Sequence, residues 1–265
     1  MPVTVKTFAS FGEAASALSS DRSARYLGGG TLVMRALNEG DVSISTVVRA
    51  TDQALSRIDV ASARITLGAC VTFARILAER DLGFLHAPAR SIGGPAVRNM
   101  GTVGGNLFAP SPYGDFTVAL LALDATVSTD HGELPIEEFL ASRYNSRGIV
   151  TAVSFAIPAQ GSFRFLKISR VKPKGVSVLS IAAVVEQAVD GAVSSARIAL
   201  GCMADRPLRA IAAEKALLGK KLTRDGIAPA LAVARDGTSP ATDPIASAWY
   251  RNEVLPVHLG RLLLA

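Results

Sequence analysis

The chain has 265 residues, of which 49% are hydrophobic and 19% are charged, so it can bury a sizeable core and is not expected to be disordered. Its two cysteines, Cys70 and Cys202, are too few for a disulfide framework or a four-cysteine iron–sulfur site. The net charge of +6 comes from Lys and Arg spread along the chain without interleaved aromatic residues, which argues against nucleic-acid binding and suits a polyanionic cofactor or simply a soluble surface.

The N-terminal segment alternates between strand and helix patterns. Ser10 and Glu13 have the spacing of a capping box that begins a helix. Three glycines stand between the second strand and the second helix. The predicted elements are strand, helix, strand, helix and strand, over Val3–Phe8, Ser10 to about Leu18, Tyr26-Leu27, Thr31–Leu37 and Ser45–Val48. We therefore predict a small βαβ-type unit with a glycine turn at its strand-to-helix junction.

A second segment begins with a hairpin and includes a glycine-rich region at Ile92–Asn106. Its other elements are two hairpin strands, two helices, a strand, a turn and a strand, over Arg57–Val60, Arg64–Leu67, Phe73–Arg80, Phe116–Leu123, Ala125–Ser128, Asp130–Gly132 and Val150–Ile157. Pro158–Ser162 has the composition of a linker, so we predict a domain boundary there.

Beyond the linker the pattern changes to long antiparallel strands and then to helices. Asp190-Gly191 joins two apolar runs, which is a strong hairpin signal because both turn positions favour positive φ. Pro256 is expected to kink or split the last helix. The strands are predicted at Phe163–Arg170, Val176–Val189 and Ala192–Leu200, and the helices at Leu208–Leu218, Ile227–Arg235 and Ile245–Leu264. This order predicts an α+β C-terminal domain.

Membrane and metal signals are missing from the sequence. No apolar run reaches the roughly 18 residues of a membrane span, and the N-terminus lacks a secretory apolar core. A cytoplasmic protein is therefore expected. The histidines, His86, His131 and His258, are scattered without the spacing of a metal site.

The two glycine regions have the character of phosphate-binding loops. Consecutive glycines after a strand leave backbone N–H groups unshielded, so that they can converge on an anion. Neither region has the G-x-G-x-x-G or the G-x-x-x-x-G-K-[ST] pattern. Gly28–Gly30 alone is also compatible with a tight turn, but Ile92–Asp115 contains six glycines and only two ionisable residues, which is unusual for a surface loop. A nucleotide site of another type is therefore predicted.

Read together, these regions resemble one family, the FAD-binding medium subunits of the molybdenum hydroxylases, which include xanthine dehydrogenase and carbon monoxide dehydrogenase. The resemblance covers essentially the whole chain. The first mark is similar to the family's A-G-G-T-[DS]-L loop and is Leu27-Gly28-Gly29-Gly30-Thr31-Leu32, with Gly30 either inserted before Thr31 or replacing the usual residue there. The second resembles I-R-N-x-G-T-[IV]-G-G-N-[IL] followed by S-P-x-x-D, and is Val97-Arg98-Asn99-Met100-Gly101-Thr102-Val103-Gly104-Gly105-Asn106-Leu107 with Ser111-Pro112-Tyr113-Gly114-Asp115.

The resemblance implies an α+β fold with a vanillyl-alcohol-oxidase-type FAD-binding region at residues 1–160, built from two α/β subdomains (about 1–55 and 56–160). A small C-terminal domain of antiparallel sheet and helices follows at 161–265. FAD would lie between the subdomains, with its pyrophosphate between the two glycine regions. The implied cofactor-binding residues are Leu27, Gly28, Gly29, Gly30, Thr31 and Leu32 on one side and Gly101, Thr102, Val103, Gly104, Gly105 and Asn106 on the other.

Five further residues match family positions around the flavin. Ser111 and Asp115 correspond to positions near the ribose or ribityl hydroxyls, although Asp115 is equally well placed to cap the helix at Phe116. Ile149, with Val150, corresponds to a backbone contact to the adenine. Lys167, in a K-x-x-R pattern, corresponds to a basic group near the flavin, with a solvated strand lysine as the alternative. The acidic residue that the family has about eight positions later is missing here.

The implied function is that of an FAD-carrying electron-transfer subunit. In the family, substrate is oxidised at a molybdopterin cofactor on a large subunit, and electrons cross [2Fe–2S] clusters on a small subunit to reach the flavin, in a heterotrimer or a dimer of heterotrimers. A stand-alone flavin oxidoreductase acting on a small substrate is the alternative. The sequence does not identify a catalytic residue, the organic substrate or the final electron acceptor.

Overall fold

A computed structural model describes residues 2–145, 148–172 and 175–265. The N-terminal subdomain is a parallel three-stranded sheet of order β1-β3-β2 with a helix packed against it. Its elements are β1 (Thr4–Phe8), α1 (Phe11–Ser20), β2 (Ala24–Tyr26), α2 (Val33–Asn38) and β3 (Thr46–Ala50). The predicted βαβ-type order is therefore confirmed.

The start of α1 is the capping box that the sequence predicts. Ser10 Oγ accepts the Glu13 N–H at 3.3 Å, and Glu13 Oε2 accepts the Ser10 N–H at 3.4 Å. Ser10→Ala removes the first of these bonds, so we expect it to lower the free energy of unfolding by about 1 kcal/mol. Urea denaturation of the two proteins measures this difference, and an unchanged midpoint would contradict it.

The second subdomain is an antiparallel sheet of order β4-β5-β8-β6-β7 covered by short helices. Its strands are β4 (Ile58–Val60), β5 (Arg64–Gly68), β6 (Thr126–Thr129), β7 (Gly132–Pro135) and β8 (Val150–Ala156). The predicted hairpin of β4 and β5 is confirmed. The strand β7 was missed, because its sequence, Gly132-Glu133-Leu134-Pro135, has almost no apolar alternation; it pairs at the edge of the sheet with β6.

The helices of this subdomain correct the sequence analysis at the glycine-rich region. Instead of one continuous loop, this region contains two short helices, one beginning with Pro95 and one capped by the Thr102 hydroxyl. Pro at the first helical position and a Thr cap are both common at helix starts. The helices are α3 (Phe73–Ala78), α4 (His86–Ser91), α5 (Pro95–Met100), α6 (Val103–Leu107), α7 (Asp115–Ala122) and α8 (Ile136–Ser142).

The C-terminal part is an antiparallel sheet of order β12-β11-β10-β9 with three helices on one face. The predicted helix at Leu208 is wrong in its first residues, because Leu208–Arg209 form β12, which pairs with β11. The last helix is not split: Pro256 lies inside one continuous helix. The elements are β9 (Phe163–Ser169), β10 (Ser177–Gln187), β11 (Val193–Gly201), β12, α9 (Ile211–Leu217), α10 (Arg224–Ala232) and α11 (Ala248–Leu263).

Helix α7 joins the second subdomain to the C-terminal sheet. All eight of its residues are buried, and it belongs to a hydrophobic core that includes Val153 of β8 and also Ala182 and Ala199 of β10 and β11. A helix that is apolar on every side is typical of a fully buried position. The packing therefore fixes the start of α7, and with it Asp115, between two sheets.

Within the described residues, no helix combines the length and apolar character needed to cross a membrane.

Candidate functional site: two glycine loops beside a cleft

The first glycine loop, Gly28–Leu32, leaves a row of backbone donors without partners. The preceding residue, Leu27, donates its N–H to Val48 O at 2.7 Å and so continues β2. Within the described residues, none of the five N–H groups from Gly28 to Leu32 donates a hydrogen bond. Gly30 has φ +74°, a conformation that glycine adopts without strain. Successive free N–H groups around a residue with positive φ are typical of anion-binding concavities.

The second glycine loop, Gly101–Asn106, uses its backbone donors differently. Val103 and Gly104 donate to Val71 O at 3.0 Å and Ala69 O at 2.8 Å, and Gly105 donates to the Thr102 hydroxyl at 3.1 Å. The first two bonds hold the loop against the segment after β5, the third lies within the loop, and none of these three N–H groups is free for a ligand. A Cβ at Gly104 would lie 2.7 Å from the Ala69 methyl, so this glycine is required for close packing.

The fold brings the two glycine loops into direct contact. A Cβ at Gly29 would lie 1.6 Å from Met100 O, and one at Gly28 would lie 3.0 Å from Thr102 Oγ1. Atoms at 1.6 Å overlap severely, so any side chain at position 29 must push the loops apart. The two walls predicted from the sequence therefore touch each other directly.

A cleft of about 840 Å³ opens beside the two glycine loops. Leu27, Gly28, Gly29 and Thr102 line it, together with residues that the sequence analysis did not identify. Those residues lie in or after β3, around β4 and α3, and in α5, and the polar ones among them are Arg49, Thr51, Asp52, Gln53, Ser56, Arg57, Asp59, Thr72, Arg75 and Asn99. The sequence did contain a signal for Thr51 and Asp52 as site residues. They directly follow a parallel strand, and ligands bind at the carboxyl ends of such strands.

Cys70 lines the same cleft, and Tyr26 lies beside it. Burial raises the pKa of the Cys70 thiol above its usual range. Burial also raises the pKa of Tyr26, and the neighbouring Cys70 adds to this effect. Both groups are therefore neutral at physiological pH and contribute polar but uncharged surface.

Asn106 connects the second glycine loop to α7. Its Oδ1 accepts hydrogen bonds from the Thr117 N–H at 2.9 Å and from the Thr117 hydroxyl at 3.0 Å. The acceptor side of the amide is thus committed to the first turn of α7, while the amide NH₂ donates no hydrogen bond to any described residue. A ligand at Asn106 would therefore be met by a donor.

The fold brings Asp115 and Lys167 together, and in this structure the two side chains form an ion pair with each other. Lys167 Nζ lies 2.8 Å from Asp115 Oδ2 and also donates to Ser91 O at 2.8 Å, and Ser177 Oγ donates to Asp115 Oδ1 at 2.6 Å. Both side chains are largely buried, with 5% of Asp115 and 14% of Lys167 exposed. The alternative role of Asp115 as a helix cap is wrong: Gly114 occupies the cap position, and Asp115 is the first helical residue. Lys167 is not a solvated strand lysine either.

Two further predicted residues, Ser111 and Ile149, are not among the residues that line the cleft. Ser111 lines a small pocket, of about 10 Å³, that Asp115 and Cys202 also line. Burial raises the pKa of the Cys202 thiol to about 12. Ile149 is buried against the N-terminal subdomain; its N–H donates to Asp130 Oδ1 at 2.6 Å, and its carbonyl accepts the Asp130 N–H at 3.1 Å.

Arg98, in the centre of the second mark, has a structural position. Its Nη1 donates to the carbonyls of Ile92 and Gly93 at 3.2 and 2.5 Å. The guanidinium therefore closes the turn before α5. These bonds to backbone carbonyls commit this nitrogen of the guanidinium to the protein itself.

The residues around the cleft fit the phosphate part of a dinucleotide such as FAD. The free N–H groups of the first glycine loop and the hydroxyl of Thr102 are neutral donors that lie side by side, and Arg49, Arg57 and Arg75 add positive charge along the same cleft. In the part of the chain that the structure describes, no group of three or more His, Cys, Asp and Glu residues is suited to hold a metal ion. The fold and the site thus define a two-lobed nucleotide-binding region followed by an α+β domain.

Comparison with known proteins identifies this class. Residues 3–159 match the family of the FAD binding domain in molybdopterin dehydrogenase, and residues 164–265 match the CO dehydrogenase flavoprotein C-terminal domain. The chain therefore belongs to the family of FAD-binding flavoproteins of the molybdopterin dehydrogenases, as the glycine loops predicted.

Individual relatives agree with this assignment. The glyceraldehyde dehydrogenase medium chain of Sulfolobus acidocaldarius is 28% identical over 73% of this chain and 72% of its own length. The nicotinate dehydrogenase FAD-subunit of Eubacterium barkeri is 28% identical over 75% and 73%. A crystal structure of Cu,Mo-CO dehydrogenase has the same fold, with a TM-score of 0.90 at 24% identity over 99% of this chain and 97% of that chain.

Proposed function

We propose that this chain carries FAD and relays electrons from the [2Fe–2S] clusters of a small partner subunit to an external acceptor. The observation that supports this most is the row of free N–H groups in the first glycine loop, which lies against Thr102 of the second loop and beside the cleft. FAD supplies the redox chemistry; this chain would bind its pyrophosphate and fix its orientation. The other residues that the family resemblance implies, from Gly30 to Lys167, are proposed to contact FAD.

The proposed complex contains a molybdopterin-binding large subunit and an iron–sulfur small subunit, as a heterotrimer or its dimer, in the cytoplasm. The two cysteines of this chain support the need for a partner: Cys70 lines the cleft, whereas Cys202 is buried beside Ser177. Two thiols in different places cannot hold a four-cysteine cluster. The relatives described above are themselves named as a medium chain and an FAD-subunit.

The proposal is tested by purifying the chain with its co-expressed genomic neighbours and, separately, alone. We expect the chain alone to be yellow and to release FAD on denaturation, but to oxidise no organic substrate. Dithionite-reduced iron–sulfur partner should bleach the flavin absorbance when it is mixed with the FAD-loaded chain. Turnover of an organic substrate by the isolated chain would instead favour the stand-alone flavin oxidoreductase.

Alkylation of the two cysteines tests whether FAD occupies the cleft. Because burial raises the pKa of both thiols, labelling by iodoacetamide requires mildly alkaline pH and is faster at Cys70, the more accessible thiol. Adding FAD to the apoprotein should slow labelling of Cys70 severalfold and leave Cys202 unchanged, as followed by peptide mass spectrometry. Equal Cys70 rates with and without bound FAD would contradict a cofactor in this cleft.

A further inference from the structure

Helix α2, which directly follows the first glycine loop, is held to the body of the protein by few contacts. None of its six residues is buried, and its first turn has no side-chain cap. Its apolar residue Met34 is 45% exposed. A segment with so little buried apolar surface has low local stability and opens easily.

A hydrogen bond and a ring contact made by Arg35 connect α2 to the second subdomain. Arg35 Nη1 donates to Tyr113 Oη at 2.9 Å, and the guanidinium carbon lies 5.7 Å from the centre of the Tyr113 ring. Glu39 Oε1 accepts from Arg35 Nε at 2.8 Å and so orients the guanidinium. Planar guanidinium groups suit this combination of a hydrogen bond and a ring contact.

The link joins the two subdomains between which the cofactor is proposed to lie. Arg35 follows the first glycine loop by one helical turn, and Tyr113 lies in the Ser111–Asp115 loop. Gly30 is close to the same helix, since a Cβ there would lie 3.4 Å from Met34. Opening the link would let α2 and the first glycine loop move away from the second subdomain together.

We propose that Arg35 and Tyr113 form a clasp that closes α2 over bound FAD and slows its release. The clasp rests on the proposed FAD function, but it assigns to Arg35 and Tyr113 a role that the glycine loops do not need. Both residues act as positioning residues. The clasp is exposed, with 53% of the Arg35 side chain and 39% of Tyr113 accessible, so its contribution to FAD retention is small.

The test measures the rate at which FAD leaves the full-length protein, from the rise in flavin fluorescence after dilution. Exposed pairs contribute up to about 1 kcal/mol, so Arg35→Met should speed FAD release about two- to fivefold. Tyr113→Phe keeps the ring and loses the hydrogen bond, so it should have a smaller effect than Tyr113→Ala. In the Arg35→Met background, Tyr113→Phe should add nothing, because the partner is already gone.

Two controls separate the clasp from general destabilisation. Arg261→Met removes one exposed positive charge from α11 in the C-terminal domain and should leave FAD release unchanged. Thermal unfolding of each apoprotein should stay within a few degrees of the parent, since the clasp is exposed and an exposed pair contributes no more than about 1 kcal/mol. Release rates unaffected by Arg35→Met, or fully additive effects in the double variant, would overturn the clasp while the FAD function stands. A parent protein that binds no FAD would overturn both.

Discussion

Replacing Gly29 by alanine is expected to abolish FAD retention. The new Cβ would lie 1.6 Å from Met100 O, 2.5 Å from Met100 C and 3.1 Å from the Gly101 Cα. All three are backbone atoms, so no side-chain rotation relieves the overlap, and the first glycine loop must move away from the second. The free N–H groups of Gly28 to Leu32 would then no longer lie beside Thr102.

The flavin-to-protein ratio after gel filtration measures this effect, with circular dichroism to confirm that the chain remains folded. Gly12→Ala is the matched control, because a Cβ at Gly12 meets nothing within 4 Å and alanine is favourable in a helix. It lies in α1 of the same subdomain and should retain FAD. A Gly29→Ala protein with full flavin content would show that contact between the loops is not needed for binding.

The sequence predicted these loops because their signal is local. Three glycines after β2 and the Thr102–Asn106 pattern can be recognised without knowing the fold. The roles of the individual glycines could not be predicted, because they depend on distant partners. Gly104 meets Ala69, and Gly29 meets Met100; no property of either glycine indicates whether its N–H faces a ligand or a neighbouring carbonyl.

The helices α5 and α6 were missed for a related reason. Val103-Gly104-Gly105-Asn106-Leu107 has poor intrinsic helix propensity, and tertiary bonds from Val103 and Gly104 to the segment after β5 hold it in place. The shape of the cleft could not be predicted from the sequence either, since its charged walls come from elements that are separate in the sequence and adjacent only in the fold. In contrast, α1 and the β4–β5 hairpin have strong local patterns, and the sequence predicted both.

Breaking the ion pair of Asp115 and Lys167 is expected to have the largest effect on stability. The pair links α7 to β9, and Ser177 of β10 completes the hydrogen bonding of the carboxylate. Lys167→Met would leave the Asp115 carboxylate buried with one hydroxyl partner and no positive charge. Removing one partner of a buried pair costs about 3–5 kcal/mol, so urea denaturation of the apoprotein should show a loss of this size.

The matched control is the exposed pair of Asp205 and Arg206, which lie 3.4 Å apart with 80% and 46% of their side chains accessible. Asp205→Asn should change the free energy of unfolding by less than about 1 kcal/mol. If the Lys167→Met apoprotein loses no more than this, the pair does not stabilise the fold.

The double variant Asp115→Asn/Lys167→Met separates a structural role from a role at the flavin. It leaves no charge without a partner, so it should be more stable than Lys167→Met alone, since the cost of a broken pair arises mainly from the remaining buried charge. If the pair only joins α7 to the C-terminal sheet, the double variant should also bind FAD as tightly as the parent protein. If Lys167 or Asp115 contacts the flavin, as proposed, the apoprotein would regain stability while FAD affinity stays low. Titration of the double variant with FAD therefore decides between the two roles, because stability and cofactor affinity are measured independently.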